Sequence, residues 1–415
     1  MNDPSTPSAV QTDIVVDNGR KAKHTQTSLD NMRRVQQTGR SSLTVSLPHW
    51  WVEKMGVRPG DVILLQPASG NRLELSLTSH GASATRSQDA LVIMADEAPA
   101  GLLSRLITGA YITGHDQIVI RTQQGLDQAR SDEIARTAAR LLGTGIVEEG
   151  PNETTIQVFA DPSRHHFAAL LDRIVTMLKL EVGYCRDALR SGSSSCLARM
   201  DLTEEEIDRA YFLMVRQILL AADDFQMADD VGIVSHRIQI GSRMVAKGLE
   251  IIGDKLNDTG KVLADALHGK GPPVLALATS MELAEEFEEF EGLLGQTLQG
   301  FKQVSPETAH AALTSLKERI ETLMNRRQKM NRHASNVSVI ASTQRIASNL
   351  LTAMEMLVII NELTINRSTE PELFAEHHRM MMVIHSIGGE ELPAPVPALD
   401  LTAASARPHP IRSSR

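Results

Sequence analysis

From Pro162 almost to the C-terminus, apolar residues recur every three or four positions, with breaks at SGSSS, GKGPP and VSPET. That period lays one apolar stripe along each segment, so this half of the chain must fold as amphipathic helices packed side by side. The breaks predict helices near 163–191, 203–222, 230–269, 276–301, 306–332 and 335–366, with a shorter one near 370–386. The first six read as two successive triplets divided at HGKGPP, a repeat visible in element lengths more than in residues.

The remainder is of a different kind. Residues 1–30 are polar and without period and read as a disordered arm, as does the Pro- and Ala-rich tail 392–415. Over 31–78 short strands are expected at RRVQQ, SLTVSLP, DVILLQP and RLELSL, with a turn at SGN (69–71) and one short helix in HWWVEKMGVRPGD. Four short strands bury little apolar area by themselves, so this segment is expected to dimerise. Residues 79–162 predict a small α/β domain, with strands at DALVIMA, QIVIRT and TTIQVFA and helices at LLSRLITGAYIT and SDEIARTAARLL. The expected fold is therefore multidomain: a small all-β domain (31–78), a small α/β linker domain (79–162), and an all-α pair of three-helix repeats (163–270 and 271–391).

Composition narrows the function. A chain of 415 residues supports two to four domains, and 42% hydrophobic with only 3% aromatic residues suits helices better than a large β fold. No P-loop, GxSxG or HExxH is present, and no Gly-rich loop precedes a helix of the α/β segment, so a non-enzymatic protein is expected. Two cysteines without a CxxC spacing, no secretory leader and no apolar run near the ~20 residues of a membrane span predict a cytoplasmic protein without membrane insertion.

The net charge of −9 confines any nucleic-acid contact to a local patch. One exists between Arg20 and Gly60, where eight basic residues face only Asp30 and Glu53. Arg33, Arg34 and Arg40 lie at the first strand and its turn, and Lys54 and Arg58 on and after the short helix. Two readings stay open from the residues: phosphate contact by a doubled basic surface, or dimerisation with solvated charges. The stretch from Arg33 to Leu75, with TGRSSLTVSLP followed by WWVEKMGVRPGD, resembles the AbrB/SpoVT family of swapped-hairpin DNA-binding domains. The resemblance implies DNA as a partner.

In the helical half the sequence EEEIDRAYFLMVRQI sets Glu204 and Asp208 one turn apart on the stripe that continues through Tyr211, Val215 and Ile218. AKGLEIIGDKLND repeats the spacing with Glu250 and Asp254. Paired carboxylates at that distance repel unless a cation intervenes, and a hard metal ion would accept four such oxygens. The other reading is an acidic face favoured by the helix N-terminus. From about 163 to 386 the chain resembles PhoU, the phosphate-uptake regulator built from two three-helix repeats whose ExxxD motifs bind metal. The resemblance implies a divalent or trivalent metal ion on Glu204, Asp208, Glu250 and Asp254, a role in phosphate homeostasis, and a phosphate transporter or its signalling proteins as partners. An AbrB-like hairpin ahead of a PhoU-like bundle is an arrangement found in archaeal PhoU-type regulators, and it implies a homodimer or higher oligomer. The second repeat departs from the pattern: Glu318 and Glu321 are followed four residues on by Thr322 and Asn325, and Gln344 and Ser348 take the expected acidic places. One centre per chain is the expectation.

Two further features are minor. The acidic row Glu282–Glu291 reads as a solvated helix face or a docking surface, and HHRMMMVIH, with His377, His378 and His385, as core or interface filler.

Overall fold

The computed structural model describes residues 32–40, 42–68, 72–78, 90–96, 98–233, 235–268, 277–333 and 337–369. The SGN turn, the helix expected near 370–386 with its three histidines, and both terminal arms lie outside the described residues. The chain divides into two compact units, Met1–Asp161 with Leu219–Asp229, and Pro162–Ile218 with Asp230–Arg415.

Within the first unit, β1 (Gln36–Thr38) pairs antiparallel with β2 (Ser42–Thr44), and β3 (Val62–Ala68) with β4 (Arg72–Thr78), flanking α1 (His49–Met55). Helix α1 ends at Gly56 in the left-handed conformation, which stops it one turn before Pro59. Among the described side chains from Met32 to Leu77, none is buried. Leu43, Val45, Val62, Leu64 and Leu73 are each more than two-fifths exposed although their alternation is that of half-buried strands.

The next part has the order β5 (Leu91–Met94), α2 (Leu102–Ile112), β6 (Gln117–Arg121), α3 (Gln128–Arg140), β7 (Thr144–Glu149) and β8 (Glu153–Val158), in a sheet ordered β5-β6-β8-β7. β5 runs parallel to β6, joined by the α2 crossover, and the other pairs are antiparallel. Helices α2 and α3 pack together and bury Leu103, Ile107, Tyr111 and Ile134, while Ile93, Ile118, Ile120 and Ile156 bury the sheet. Two of the expected helices and three of the strands appear here. β7 was not foreseen: a bulge between Ile146 and Glu148 and two exposed glutamates break its alternation.

The second unit is helical. Its elements are α4 (Phe167–Ser191), α5 (Met200–Asp223), α7 (His236–His268), α8 (Leu277–Gln303), α9 (Pro306–His333) and α10 (Val337–Ser368), while the end of α5 and most of α6 (Phe225–Val231) are counted with the first unit. The helix expected over 230–269 begins only at His236, and the short α6 before it was not foreseen; the two are separated at Gly232, whose φ of +79° no ordinary residue adopts easily. α4 packs on α7 and α8, α8 on α9, and α10 on α7, α8 and α9. By length and composition α10 could cross a membrane, but more than half of its most apolar stretch is buried inside the bundle, including Ile346, Leu350, Met354 and Leu357. Its apolar character is that of a core helix.

Candidate metal centre

Helices α5 and α7 approach closely because α7 carries glycine where they touch. A Cβ at Gly253 would lie 3.0 Å from Glu204 Oε2 and 3.3 Å from Ile207, and one at Gly260 would lie 3.0 Å from the Met200 methyl. Glu204 is thereby pressed against the backbone of α7 and is only 9% exposed. The other carboxylates grade outward: Glu250 and Asp208 are partly exposed and Asp254 is exposed. All four residues of the two ExxxD pairs thus stand on facing stretches of α5 and α7.

A fifth carboxylate lies beneath them. Glu181, on α4, is 0% exposed, and neither of its oxygens has a hydrogen-bond partner; Glu204 meets no cation, its hydrogen-bonding neighbour being another acid, Asp254. Burial pushes the Glu181 carboxyl up to about 10, helped by the negative charges of Glu204, Asp254 and Asp201. Burial likewise raises Glu204 to about 8, with Asp208, Asp254 and Glu250 adding repulsion. Glu250 is raised by burial and pulled back by Lys247, whose Nζ donates to Glu250 Oε2 at 2.5 Å. Reading by motif missed Glu181, although one signal was there: a single acid in the otherwise apolar stripe of MLKLEVGYC.

Unpartnered buried carboxyl oxygens cost free energy that a bound cation would offset, and an all-oxygen donor set suits a hard ion. The set is not a ready-made cage. Among the described residues no three Asp, Glu, His or Cys side chains converge closely enough to hold a metal as they stand. The glutamates would have to rotate inward around an ion.

The second triplet answers the same burial problem with arginine. Glu286 on α8 is 1% exposed, and Arg326 Nη1 donates to its Oε1 at 2.7 Å while Arg319 approaches its other oxygen at 3.9 Å. Arg327 in turn donates to Gln344, the residue standing in an expected acidic place. Glu318 and Glu321 are exposed. The acidic row of α8 is not simply a solvated face either: Glu288 pairs with Arg190 at 2.5 Å, Glu291 with Arg186 at 2.7 Å and Glu289 with Arg319 at 3.3 Å. Its carboxylates tie α8 to α4 and α9.

In the hairpin region Arg33, Arg34, Arg40, Lys54 and Arg58 are all exposed. Arg58 also shapes the backbone, since its N–H donates to Asp61 Oδ2 at 2.7 Å.

No family model matches the chain, and no curated protein matches it in sequence. Among solved structures it is similar to PhoU from Pseudomonas aeruginosa, at 15% identity and a TM-score of 0.40, over 49% of this chain and 96% of that one. A score of that size lies below the level at which a shared topology is established.

Proposed function

We propose that this chain is a non-enzymatic regulator of phosphate uptake, an adaptor of the PhoU type that acts on a phosphate transporter or its signalling proteins and carries one cation site per chain. The observation that supports it most is the asymmetry between the two triplets. Glu286 has its neutralising cation built in as Arg326, whereas Glu181 and Glu204 are buried without a cationic partner beside three further carboxylates. The ligands are Glu204, Asp208, Glu250 and Asp254, with Glu181 beneath them; a divalent or trivalent ion there would tie α5 to α7. The exposed apolar faces of the hairpin segment are covered by a second copy, making the chain a homodimer or larger.

The test joins binding to physiology. The purified chain should retain metal and melt higher with added Mn²⁺, and Glu204→Gln with Asp208→Asn should abolish both effects. Cells lacking the protein should take up phosphate without restraint when phosphate is plentiful, and the double variant should behave like the deletion. Normal uptake in the deleted strain would remove the phosphate role. A metal-free, Mn²⁺-insensitive wild type would remove the cation site.

A second reading concerns DNA. Five basic side chains exposed on a small β segment could neutralise phosphates once doubled by dimerisation. Replacing Arg33, Arg34 and Arg40 with Ala should then weaken duplex binding and flatten its salt dependence, as measured by a gel-shift series.

A further inference from the structure

Lys247 stands three residues before Glu250 on α7, and its amine reaches Glu250 Oε2 at 2.5 Å from a side chain that is 46% exposed against 13% for the glutamate. It enters the carboxylate set from the solvent side. The same nitrogen lies 5.6 Å from the centroid of the Tyr211 ring, which also carries Arg243 at 5.6 Å. Tyr211 is only 6% exposed and follows Asp208 by three residues on α5, so it is a fixed surface at the edge of the set. An amine that left Glu250 would still have an aromatic face to rest on.

The contrast with the second triplet gives this contact meaning. There the buried Glu286 is held by a guanidinium, a planar fork with several donors; here the half-buried Glu250 is met by one ammonium on a flexible stem, and the buried Glu181 and Glu204 by no cation. The first arrangement is permanent and the second displaceable.

We infer that Lys247 is a tethered counter-ion of the carboxylate set, holding Glu250 until an incoming metal cation displaces the amine toward Tyr211. This rests on the reading of the set as a cation site. It accounts for the spread of the set, in which Glu250 is held by its lysine. The site then favours ions of higher charge, because only these outcompete a monovalent ammonium already in contact.

Mn²⁺ titration of the full chain by calorimetry, with melting in chelator alongside, tests it. Lys247→Met should bind Mn²⁺ about tenfold more tightly than wild type, since a positive charge is removed from beside the ion. Lys247→Arg should restore weak binding, and Arg243→Met, which removes a nearby charge that pairs with no carboxylate of the set, should shift affinity much less. In chelator Lys247→Met should melt below wild type, and the order should reverse with saturating Mn²⁺. Equal or weaker binding by Lys247→Met, with wild type binding normally, overturns the inference and leaves the cation site standing. An equal effect of Arg243→Met overturns the specific contact in favour of general electrostatics. If neither wild type nor Lys247→Met binds Mn²⁺, the cation site itself falls, and the inference with it.

Discussion

Glu181 and Glu204 hold their protons more tightly in the folded chain than in the unfolded one, and that fixes a sign. An acid raised above its unfolded value near 4.5 contributes stability in full below that value and loses it as pH rises through the folded value, about 8 for Glu204 and about 10 for Glu181. In chelator the melting temperature of the helical unit should therefore fall as pH climbs from about 4.5 to 8, and Glu204→Gln should flatten the slope. A flat wild-type profile would show that these carboxyls are better solvated than their surroundings suggest. Gly253 offers a second probe at this scale. A methyl there meets Glu204 Oε2 at 3.0 Å, so Gly253→Ala should push the carboxylate aside and weaken Mn²⁺ retention without removing any charge, while stability changes little because the helix gains by the substitution. The ExxxD pairs were legible in the sequence because a spacing of four is a helical turn. Glu181 was not, because one acid in an apolar stripe has no periodic partner, and only packing brings α4 beneath α5 and α7.

Helices were the easiest elements to read, since a sustained period of 3.6 survives small errors at either end. The exception came where Val231 and Ile233 kept the apolar rhythm across Gly232 and hid the break between α6 and α7. Nor could sequence tell that α8 pairs its glutamates with arginines of α4 and α9, because residues up to 105 positions apart carry no common pattern. That ion-pair lattice makes a prediction about α9. Arg326→Met should destabilise the chain by about 3 kcal/mol in urea unfolding, by leaving Glu286 buried with only the more distant Arg319. Glu318→Gln with Glu321→Gln, both exposed on the same helix, should change stability little and metal retention not at all.

At the scale of the whole molecule, the hairpin segment leaves its apolar residues in water when taken as one copy. If a second copy covers them, the full chain should sediment as a dimer or larger, and Leu43→Lys with Leu64→Lys should shift it toward monomer while the helical unit keeps its melting transition. A monomeric wild type at micromolar concentration would show that the segment waits for another partner. A different consequence follows from the stretch Leu219–Asp229, which is counted with the N-terminal unit although it lies beyond α4 in the chain. Leu220 sits so close to Gly114 that a Cβ there would come within 2.4 Å of its methyl. During synthesis the N-terminal unit is complete only some 58 to 68 residues after residue 161 has left the ribosome, by which time the first bundle helix has been made. The two units are thus interleaved in time, and a gene cut after residue 161 should yield a product that aggregates where one extended through residue 229 stays in solution.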